Sequence, residues 1–441
     1  MTKVGFVSLG CSKNLVDTEV MLYNLHKAGF EITPNEEEAE IIVVNTCGFI
    51  ESAKQEAIDN ILDAEKLKEW GKCRHIIATG CLVERYREEV MRELPEIDAL
   101  VGIGSLCDIA EACQAVMRGE KYTSFRDKET APLGGDRIVT TEPHTAYLKI
   151  SEGCDNLCTY CAIPLIRGKH RSRTIEDIVA EAKDLESMGV KDLNLIAQDT
   201  TRYGLDIYGE YSLARLVRAI TEETSIPWIR LLYCYPDKIT DELIDELRDN
   251  DRLVKYMDIP IQHISDSVLA RMNRHGGGTL IRETVKKLRQ RVPGIILRTT
   301  AMVGFPGESE EDFAELCEFI KEARFDRFGA FTFSPEEGTP AAEMPDQIDE
   351  QTKQDRYDCL MQTQLTVAED KNAEKVGETV KVLCDGFDAV AEVYYGRSFA
   401  DAPDVDGRVY FTSKRKINPG AFVEVKVTEA LDYDLVGEVI V

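Results

Sequence analysis

The sequence predicts an α/β protein in three parts: an N-terminal parallel-sheet domain, a partial barrel of six βα units, and a small C-terminal β-barrel. Three observations predict this order. Short apolar strands alternate with helical patterns over residues 1–119, six longer βα units follow over 145–373, and short strands with glycine-containing turns fill 374–441. Alternation of strands and helices is typical of parallel sheets, whereas closely spaced short strands are typical of sandwiches and barrels.

In the first part, strands are predicted at 4–9, 41–44 and 76–78, with helices at 17–29 and 51–68 between them. The next stretch, 120–144, breaks this pattern. It has no apolar period, it carries many charges, and it contains Pro132, Gly134, Gly135 and Pro143. We interpret residues 120–144 as a linker.

The barrel-like part has six apolar runs separated by helical patterns. The helix at 175–188 is typical of them, because Thr174 suits its N-cap, Asp177 its acidic first turn, and Gly189 its end. Six such units predict an open (β/α) barrel. Its strands are predicted at 147–150, 193–197, 229–234, 256–261, 295–303 and 328–333.

A polar helix at 349–373 leads into the last part. There the period changes to 2, with strands predicted at 379–384, 389–395, 408–411 and 421–427. Turns are indicated at Gly386, Gly396, Gly407 and the pair Pro419 and Gly420. This pattern predicts a small closed or sandwiched β domain.

The overall composition is that of a globular protein, with 43% hydrophobic and 30% charged residues. The 53 Lys and Arg are outnumbered by 80 Asp and Glu, and the formal net charge of −27 opposes non-specific attraction to phosphate backbones. A basic partner would be attracted, although acidity for solubility alone is the competing interpretation. Without a basic leader and small-residue cleavage site, and without a long apolar run, the chain is expected to be cytoplasmic and not membrane-bound.

Cys154, Cys158 and Cys161 follow the first predicted barrel strand. Thiolates at this spacing can bind three irons of a [4Fe-4S] cluster and leave the fourth iron open to the amino and carboxylate groups of a methionine moiety. The alternatives are a zinc site or buried thiols, but zinc knuckles usually have a second Cys-x-x-Cys pair, and none follows.

A second set of cysteines is dispersed. Cys11, Cys47 and Cys81 each follow a predicted strand by one to three residues. Because the carboxyl ends of parallel strands converge on one crevice, these three thiols could meet there and hold a second cluster. Structural burial is the alternative. The seven remaining cysteines, in helices, in strands or alone, are interpreted as structural: 73, 107, 113, 234, 317, 359 and 384.

The spacing C-x-x-x-C-x-aromatic-C, with Tyr160 as the aromatic residue, resembles the signature of the radical S-adenosylmethionine (SAM) superfamily. The order of the three parts resembles the methylthiotransferase family within it, and the C-terminal part is similar to a TRAM domain. Three segments resemble the branch that modifies ribosomal protein S12: GCSKNLVD at 10–17, DIPIQH at 258–263 and APDVDG at 402–407.

The resemblance implies two [4Fe-4S] clusters, one on Cys154, Cys158 and Cys161 and one on the dispersed set. It implies SAM as cofactor and radical methylthiolation of the β-carbon of an S12 aspartate, giving 3-methylthioaspartate, with S12 either free or within the ribosome. The electron donor and the sulfur donor are not specified. From residue 375 onward, eight basic residues stand against twelve acidic ones, which suits a basic protein better than RNA despite the triplet Lys414, Arg415 and Lys416.

Candidate SAM contacts are Tyr160, Gln198, Asp199 and Arg298, because ligands gather at the carboxyl face of a barrel. Gln198 and Asp199 could instead cap the next segment, and Arg298 could pair with a core carboxylate. The glycines of GFPGE at 304–308 could admit a ligand close to the backbone. The basic stretch at 167–173 could steer an acidic partner, contact SAM, or be a solvated face.

Two other functions are kept as alternatives. One is a tRNA methylthiotransferase acting on adenosine, against which the acidic C-terminal part and the segment 258–263 argue. The other is a non-catalytic iron-sulfur protein, which cleavage of SAM by the reduced protein would rule out.

Overall fold

Two six-stranded parallel sheets and a closed five-stranded barrel form the framework of the computed structural model, which describes residues 1–440. A two-stranded sheet accompanies the second large sheet. The predicted α/β class and the three successive architectures are confirmed.

The first sheet has the strand order β2-β1-β3-β4-β5-β6, and all its pairings are parallel. Its central strands are buried on both faces, which explains the uninterrupted run of Ile and Val after residue 40. The strands are β1 (Lys3–Ser8), β2 (Glu31–Ile32), β3 (Ile41–Thr46), β4 (His75–Gly80), β5 (Ala99–Val101) and β6 (Tyr122–Ser124). The helices are α1 (Ser12–Lys27), α2 (Glu51–Trp70), α3 (Cys81–Tyr86), α4 (Glu88–Glu93) and α5 (Ile109–Met117).

The stretch 120–144 is not only a linker. Its start supplies β6, which pairs with β5 and completes the first sheet. A three-residue strand is too short to show a period in the sequence. Further along, Arg137 is buried and forms ion pairs with Glu19 of α1 and Glu181 of the barrel part. The segment therefore ties the first part to the second.

The second sheet is open, with the order β14-β13-β12-β11-β10-β7, and each of its six strands overlaps a predicted one. Its strands are β7 (Thr145–Lys149), β10 (Asp192–Ile196), β11 (Trp228–Leu231), β12 (Leu253–Asp258), β13 (Ile296–Val303) and β14 (Arg327–Thr332); β8 (Ser151–Glu152) and β9 (Arg171–Ser172) pair separately. The helices are α6 (Ile163–Arg167), α7 (Ile175–Ser187), α8 (Leu205–Tyr208), α9 (Leu213–Glu223), α10 (Asp241–Asp249), α11 (Asp266–Arg271), α12 (Gly277–Arg291), α13 (Glu310–Ala323) and α14 (Glu350–Ala373).

Side chains alternate between the two faces of this sheet. On β11, Ile229 and Leu231 belong to the main hydrophobic core with the helices, whereas Trp228 packs against the C-terminal part, its ring centroid 4.8 Å from that of Phe422. The inner face of the partial barrel is therefore covered by the C-terminal part. Thr174 caps α7 by accepting from the Asp177 amide, as predicted.

The C-terminal part is a closed barrel in the order β15-β16-β17-β19-β18. Residues 389–392, predicted as strand, form a turn whose amides at 390 and 391 donate to the Asp388 carboxylate, and the fifth strand was not predicted. The strands are β15 (Thr379–Asp388), β16 (Val393–Ser398), β17 (Val409–Thr412), β18 (Phe422–Ala430) and β19 (Leu435–Val439).

Residues 398–406, here called the plug segment, enter the inner face of the partial barrel. The Arg230 guanidinium donates to the carbonyl of Phe399 at 2.7 Å, and the Tyr256 hydroxyl donates to Asp406 at 2.6 Å. Arg327 pairs with Asp401 in the same region. The segment APDVDG therefore begins inside the barrel, where Ala402 and Pro403 are buried, and returns to the surface at Asp404 and Val405, which are exposed.

Candidate functional site

The three dispersed cysteines lie at one edge of the first sheet. Cys11 begins α1 just after β1, Cys47 follows β3, and Cys81 is the first residue of α3 after β4. Strands β1, β3 and β4 are neighbours in the sheet, so their carboxyl ends are adjacent. Gly10 has a φ of +89°, and a Cβ there would lie 2.9 Å from the Cβ of Cys47. Glycine is thus required where the loops of Cys11 and Cys47 approach each other.

The electrostatic environment of these thiols is uneven. Desolvation by neighbouring groups opposes ionisation of Cys11, although the residue is exposed, and the charges of Lys13 and Arg167 outweigh it and lower the pKa of that thiol. Burial raises the pKa of Cys81 to about 11, although Arg167 acts in the opposite direction. Cys11 is therefore the readiest of these thiols to ionise, while Cys81 stays protonated at neutral pH unless a metal displaces its proton.

The second triad, Cys154, Cys158 and Cys161, lies in the loop between β8 and α6. This loop is held from several sides: the Cys154 amide donates to the Gly168 carbonyl at 3.1 Å, and the amide of Thr159 donates to the carbonyl of Met272, also at 3.1 Å. Cys154 and Cys158 are buried, and burial raises the pKa of Cys154 to about 11.

Both triads consist of thiols, the ligand type that iron-sulfur clusters take, and each thiolate of such a cluster binds a different iron. Each triad also has a guanidinium beside it: Arg167 contacts Cys81, and Arg274 lies beside Cys158 and stacks on Tyr235. These cations suit the negative charge of thiolate-bound clusters.

The candidate SAM contacts do not gather at one place. Tyr160 is buried beside Cys158 and lines a cavity, whereas Gln198 is half-buried. Asp199 is fully buried, and its carboxylate accepts from Lys238 at 2.9 Å and from Asn156 at 2.8 Å. It also accepts from the following turn, so the capping interpretation of Asp199 fits the structure better than contact with a ligand.

Arg298 is half-buried on β13 and faces the plug segment. Its guanidinium donates to Asp258 at 2.9 Å and lies 3.4 Å from Asp406 of the plug segment. Pairing with core carboxylates, the alternative noted for Arg298, is therefore what the structure contains. The same contacts bring together two of the segments that suggested the S12 branch, DIPIQH and APDVDG.

Two cavities open near the triads. The barrel-edge cavity, of about 560 Å³, lies between the Cys47 loop and β14, and its aromatic lining includes Phe49, Tyr160 and Phe333. The junction cavity, of about 570 Å³, is lined by all three parts of the chain. The charged or polar residues that line it include Cys11, Tyr233, Asp258, Arg298 and Asp404.

The glycine segment GFPGE does not present its backbone to open space. The Glu308 carboxylate accepts from the amides of Gly304 and Phe305 at 2.8 and 3.2 Å and pairs with Arg356. Burial raises the pKa of Glu308 to about 7 against these contacts. Nearby, His263 is fully buried, accepts from the Ser265 amide, and has its pKa lowered to about 4 by burial.

Several buried charged residues that join the first part to the barrel have no individual signal in the sequence. Glu336, after β14, pairs with Arg85 at 2.9 Å and with Lys54 at 3.1 Å. Arg85 also donates to the carbonyl of Gly48, next to Cys47. A second group, described below, surrounds Arg167. The only signal in the sequence was the basic stretch at 167–173, and the solvated-face interpretation fits only Lys169, which is exposed.

Comparisons with known proteins agree with this arrangement. Residues 3–102 match the model of the Uncharacterized protein family UPF0004, residues 148–320 that of the Radical SAM superfamily, and residues 376–440 that of the TRAM domain. Among solved structures, the radical S-adenosylmethionine methyltransferase TsrM from Kitasatospora setae, with cobalamin and a [4Fe-4S] cluster bound, is 14% identical with a TM-score of 0.56, covering 77% of this chain and 74% of that one. This likeness shows a shared fold.

Much closer relatives carry one name. The ribosomal protein uS12 methylthiotransferases RimO of Desulforamulus reducens and Clostridium tetani are each 49% identical to this chain; the matches cover 99% and 100% of it and 99% of each relative. That of Acetivibrio thermocellus is 48% identical over 99% of this chain and 98% of its own length. No helix among residues 1–440 combines the length and apolarity needed to cross a bilayer. The chain belongs to the ribosomal protein uS12 methylthiotransferase family of radical SAM enzymes.

Proposed function

We propose that this protein attaches a methylthio group to the β-carbon of an aspartate in ribosomal protein uS12. The observation that carries the proposal is the presence of two cysteine triads, each with an adjacent guanidinium, at the junction between the first sheet and the partial barrel. The names and lengths of the relatives support the same reaction.

The cofactors are SAM and two [4Fe-4S] clusters, and we assign one cluster to each triad. Bound there, they supply reductive cleavage of SAM and a radical that can remove hydrogen from an unactivated carbon. The residues of the chain hold and enclose these groups. Asn156 of the second cysteine loop donates to Asp199, and Asp199 also accepts from Lys238, so the loop is anchored to the barrel through a buried ion pair.

We assign the aromatic barrel-edge cavity to the adenosine end of SAM. Tyr160 follows Cys158 by two residues and faces this cavity, and Phe331 and Phe333 supply further flat apolar surface. Flat apolar surface is typical of small-molecule sites, and the carboxylates of Glu51, Glu336 and Glu350 supply polar groups in the same lining. Of the four sequence candidates, the contacts support Tyr160 best.

We assign the junction cavity to the substrate segment. It reaches from Cys11 of the first triad to Asp404 of the plug segment. Asp404 has a φ of +67°, which is strained for a residue with a side chain, and its carboxylate accepts from the Tyr147 hydroxyl at 2.8 Å. Within residues 1–440 no basic side chain forms an ion pair with Asp404, so its charge is free to meet a Lys or Arg of a basic protein.

Each successive part of the chain is assigned its own role. Residues 1–119 would carry the first cluster, 120–144 would connect, 145–373 would carry the second cluster and SAM, and 374–441 would receive the substrate. The three family-model matches fall within these bounds, which supports the division.

Separate loss of the two triads tests the proposal. Cys154→Ala is expected to abolish both SAM cleavage and methylthio transfer. Cys47→Ala is expected to retain release of 5′-deoxyadenosine and to lose transfer to uS12, while Cys359→Ala, at an exposed position, should retain both activities. Chromatography of nucleosides and mass spectrometry of uS12 measure the two products. Full transfer by the Cys47 variant would contradict the assignment of the first triad.

A further inference from the structure

Arg167 belongs to the second cysteine loop in the sequence but contacts the first triad in space. It ends α6, six residues after Cys161, and its side chain is only 1% exposed. Its Nη2 lies 3.4 Å from the Sγ of Cys81, in hydrogen-bond geometry with the guanidinium as donor. A buried side chain that closely follows the second triad in sequence therefore contacts a cysteine of the first triad.

Carboxylates from the first part and from the barrel part fix the orientation of this guanidinium. Nη1 donates to Asp17 of α1 at 2.7 Å and to Glu152 of β8 at 3.0 Å. Lys149 pairs with the same two carboxylates at 2.5 and 2.9 Å. The two carboxylates balance the charges of Arg167 and Lys149. Because both carboxylates accept from Nη1, Nη2 is left to face Cys81.

Arg167 also reaches the other two cysteines through Asn14. Nη2 donates to the Asn14 side-chain oxygen at 3.2 Å. The Asn14 amide group in turn donates to the carbonyls of Leu9 at 2.6 Å and Thr46 at 3.4 Å, which immediately precede the Gly10–Cys11 turn and Cys47. The guanidinium is thus hydrogen-bonded directly to Cys81 and, through Asn14, to the backbone next to Cys11 and Cys47.

We propose that Arg167 is a positioning residue for the first-triad cluster, fixing its ligands against the second loop and raising its reduction potential through the bond to Cys81. Hydrogen bonds and positive charge at a ligand sulfur favour the more negative, reduced cluster. This inference rests on the proposed function only in requiring that the first triad holds a cluster. It does not depend on which substrate is modified.

The test measures the first-triad cluster alone, in full-length protein carrying Cys154→Ala, Cys158→Ala and Cys161→Ala. One electron from dithionite reduces [4Fe-4S]²⁺ to [4Fe-4S]⁺, and electron paramagnetic resonance follows the reduced form during a potentiometric titration. The variant is Arg167→Met with Asp17→Asn, which removes one positive and one negative charge and leaves the Lys149–Glu152 pair. Its midpoint potential is expected to be more negative than that of the parent.

Two further variants separate positioning from a general loss of stability. Arg167→Lys keeps the charge without the planar fork, so its midpoint potential should lie between those of the parent and the double variant. Arg356→Met with Glu308→Gln removes a buried pair whose hydrogen-bond partners include none of the six cysteines and should leave the potential unchanged. Unchanged potentials in both Arg167 variants, with normal iron content, would overturn the inference. A parent protein whose first triad binds no iron would instead contradict the proposed function.

Discussion

At the scale of single residues, buried ion pairs hold the three parts of this protein in position relative to one another. Arg167, Arg298 and Arg327 are all held by carboxylates from other parts of the chain. Each ion pair loses hydration on burial, so its value lies mainly in fixing one arrangement of the parts. Asp404 differs from these residues, because it is exposed and has no cationic partner among residues 1–440.

Asp404→Asn tests the role assigned to the free carboxylate at the junction cavity. Loss of one charge-assisted hydrogen bond, worth about 1.4 kcal/mol, is expected to raise the KM for uS12 about tenfold. The iron content and the rate of SAM cleavage without uS12 should not change. Asp432→Asn, at an exposed acidic position of the same barrel, is the matched control. An equal KM for the two variants would count against a substrate contact at Asp404.

His263 makes the stability of the barrel depend on pH. Its pKa is about 4 in the folded chain, because burial disfavours the charged ring, and about 6.5 when unfolded. Between these values the unfolded chain binds the extra proton, so the free energy of unfolding falls as the pH falls from 6.5 to 4. From pH 7 to pH 5 this residue alone should cost about 2 kcal/mol.

His263→Asn supplies the comparison, because the Asn oxygen can still accept from the Ser265 amide. Urea unfolding of the apo protein at pH 7 and pH 5 gives the two free energies. The variant should lose about 2 kcal/mol less than the parent on acidification. Parallel losses would show that His263 is protonated in the folded chain.

Residue roles could be predicted from the sequence where the residue type itself carries the chemistry. The six cysteines are predicted as cluster ligands from their spacing and their positions after strands, and the structure places each set on one loop or at one sheet edge. Arg167 was not found individually, because a buried arginine and a solvated one look alike in the basic stretch at 167–173. Their difference depends on carboxylates distant in sequence, such as Asp17.

At the scale of elements, the carboxyl ends of strands and one inserted segment build the site. The cysteines follow β1, β3, β4 and β8, and the plug segment between β16 and β17 meets the inner face of the second sheet from the other side. The plug segment therefore limits how deep the junction cavity extends.

Asp401→Ala tests the importance of the plug segment. It would leave Arg327 buried without its carboxylate, and we expect a loss of about 3–5 kcal/mol in the free energy of unfolding. Fluorescence during urea unfolding reports on this junction, since Trp228 is buried against Phe422 while Trp70, the other tryptophan, is exposed. Glu242→Ala, which breaks the exposed pair with Arg218, should cost less than about 1 kcal/mol. Similar losses in the two variants would show that the Arg327–Asp401 pair does not anchor the segment.

The longer strands with apolar residues could be predicted from the sequence, whereas β6 and β19 could not. All six barrel strands could be predicted because each contains apolar residues between helical patterns; five of them are mostly buried, whereas β14 at the sheet edge is mostly half-buried. β6 has only three residues, and β19 contains Gly437, so neither shows a clear period of 2. Each is instead fixed by pairing with a neighbouring strand.

At the scale of the whole molecule, the three parts together line one cavity that none of them contains alone. The first part is joined to the barrel by the Glu336 and Arg167 groups, and the C-terminal part is joined to it by the plug segment. The order of the parts was predictable, but their contacts were not. The pair of Arg397 with Asp192, for example, joins residues 205 positions apart, and no local pattern in the sequence indicates it.

Mass spectrometry of modified uS12 tests the central claim most directly. The cluster-reconstituted protein is incubated anaerobically with reductant, sulfide, SAM and either uS12 or tRNA, and the uS12 peptides and tRNA nucleosides are analysed. We predict a methylthio group on one uS12 aspartate and none on adenosine, with the product lost in Cys154→Ala and in Cys47→Ala. Methylthiolated adenosine with unmodified uS12 would contradict the account.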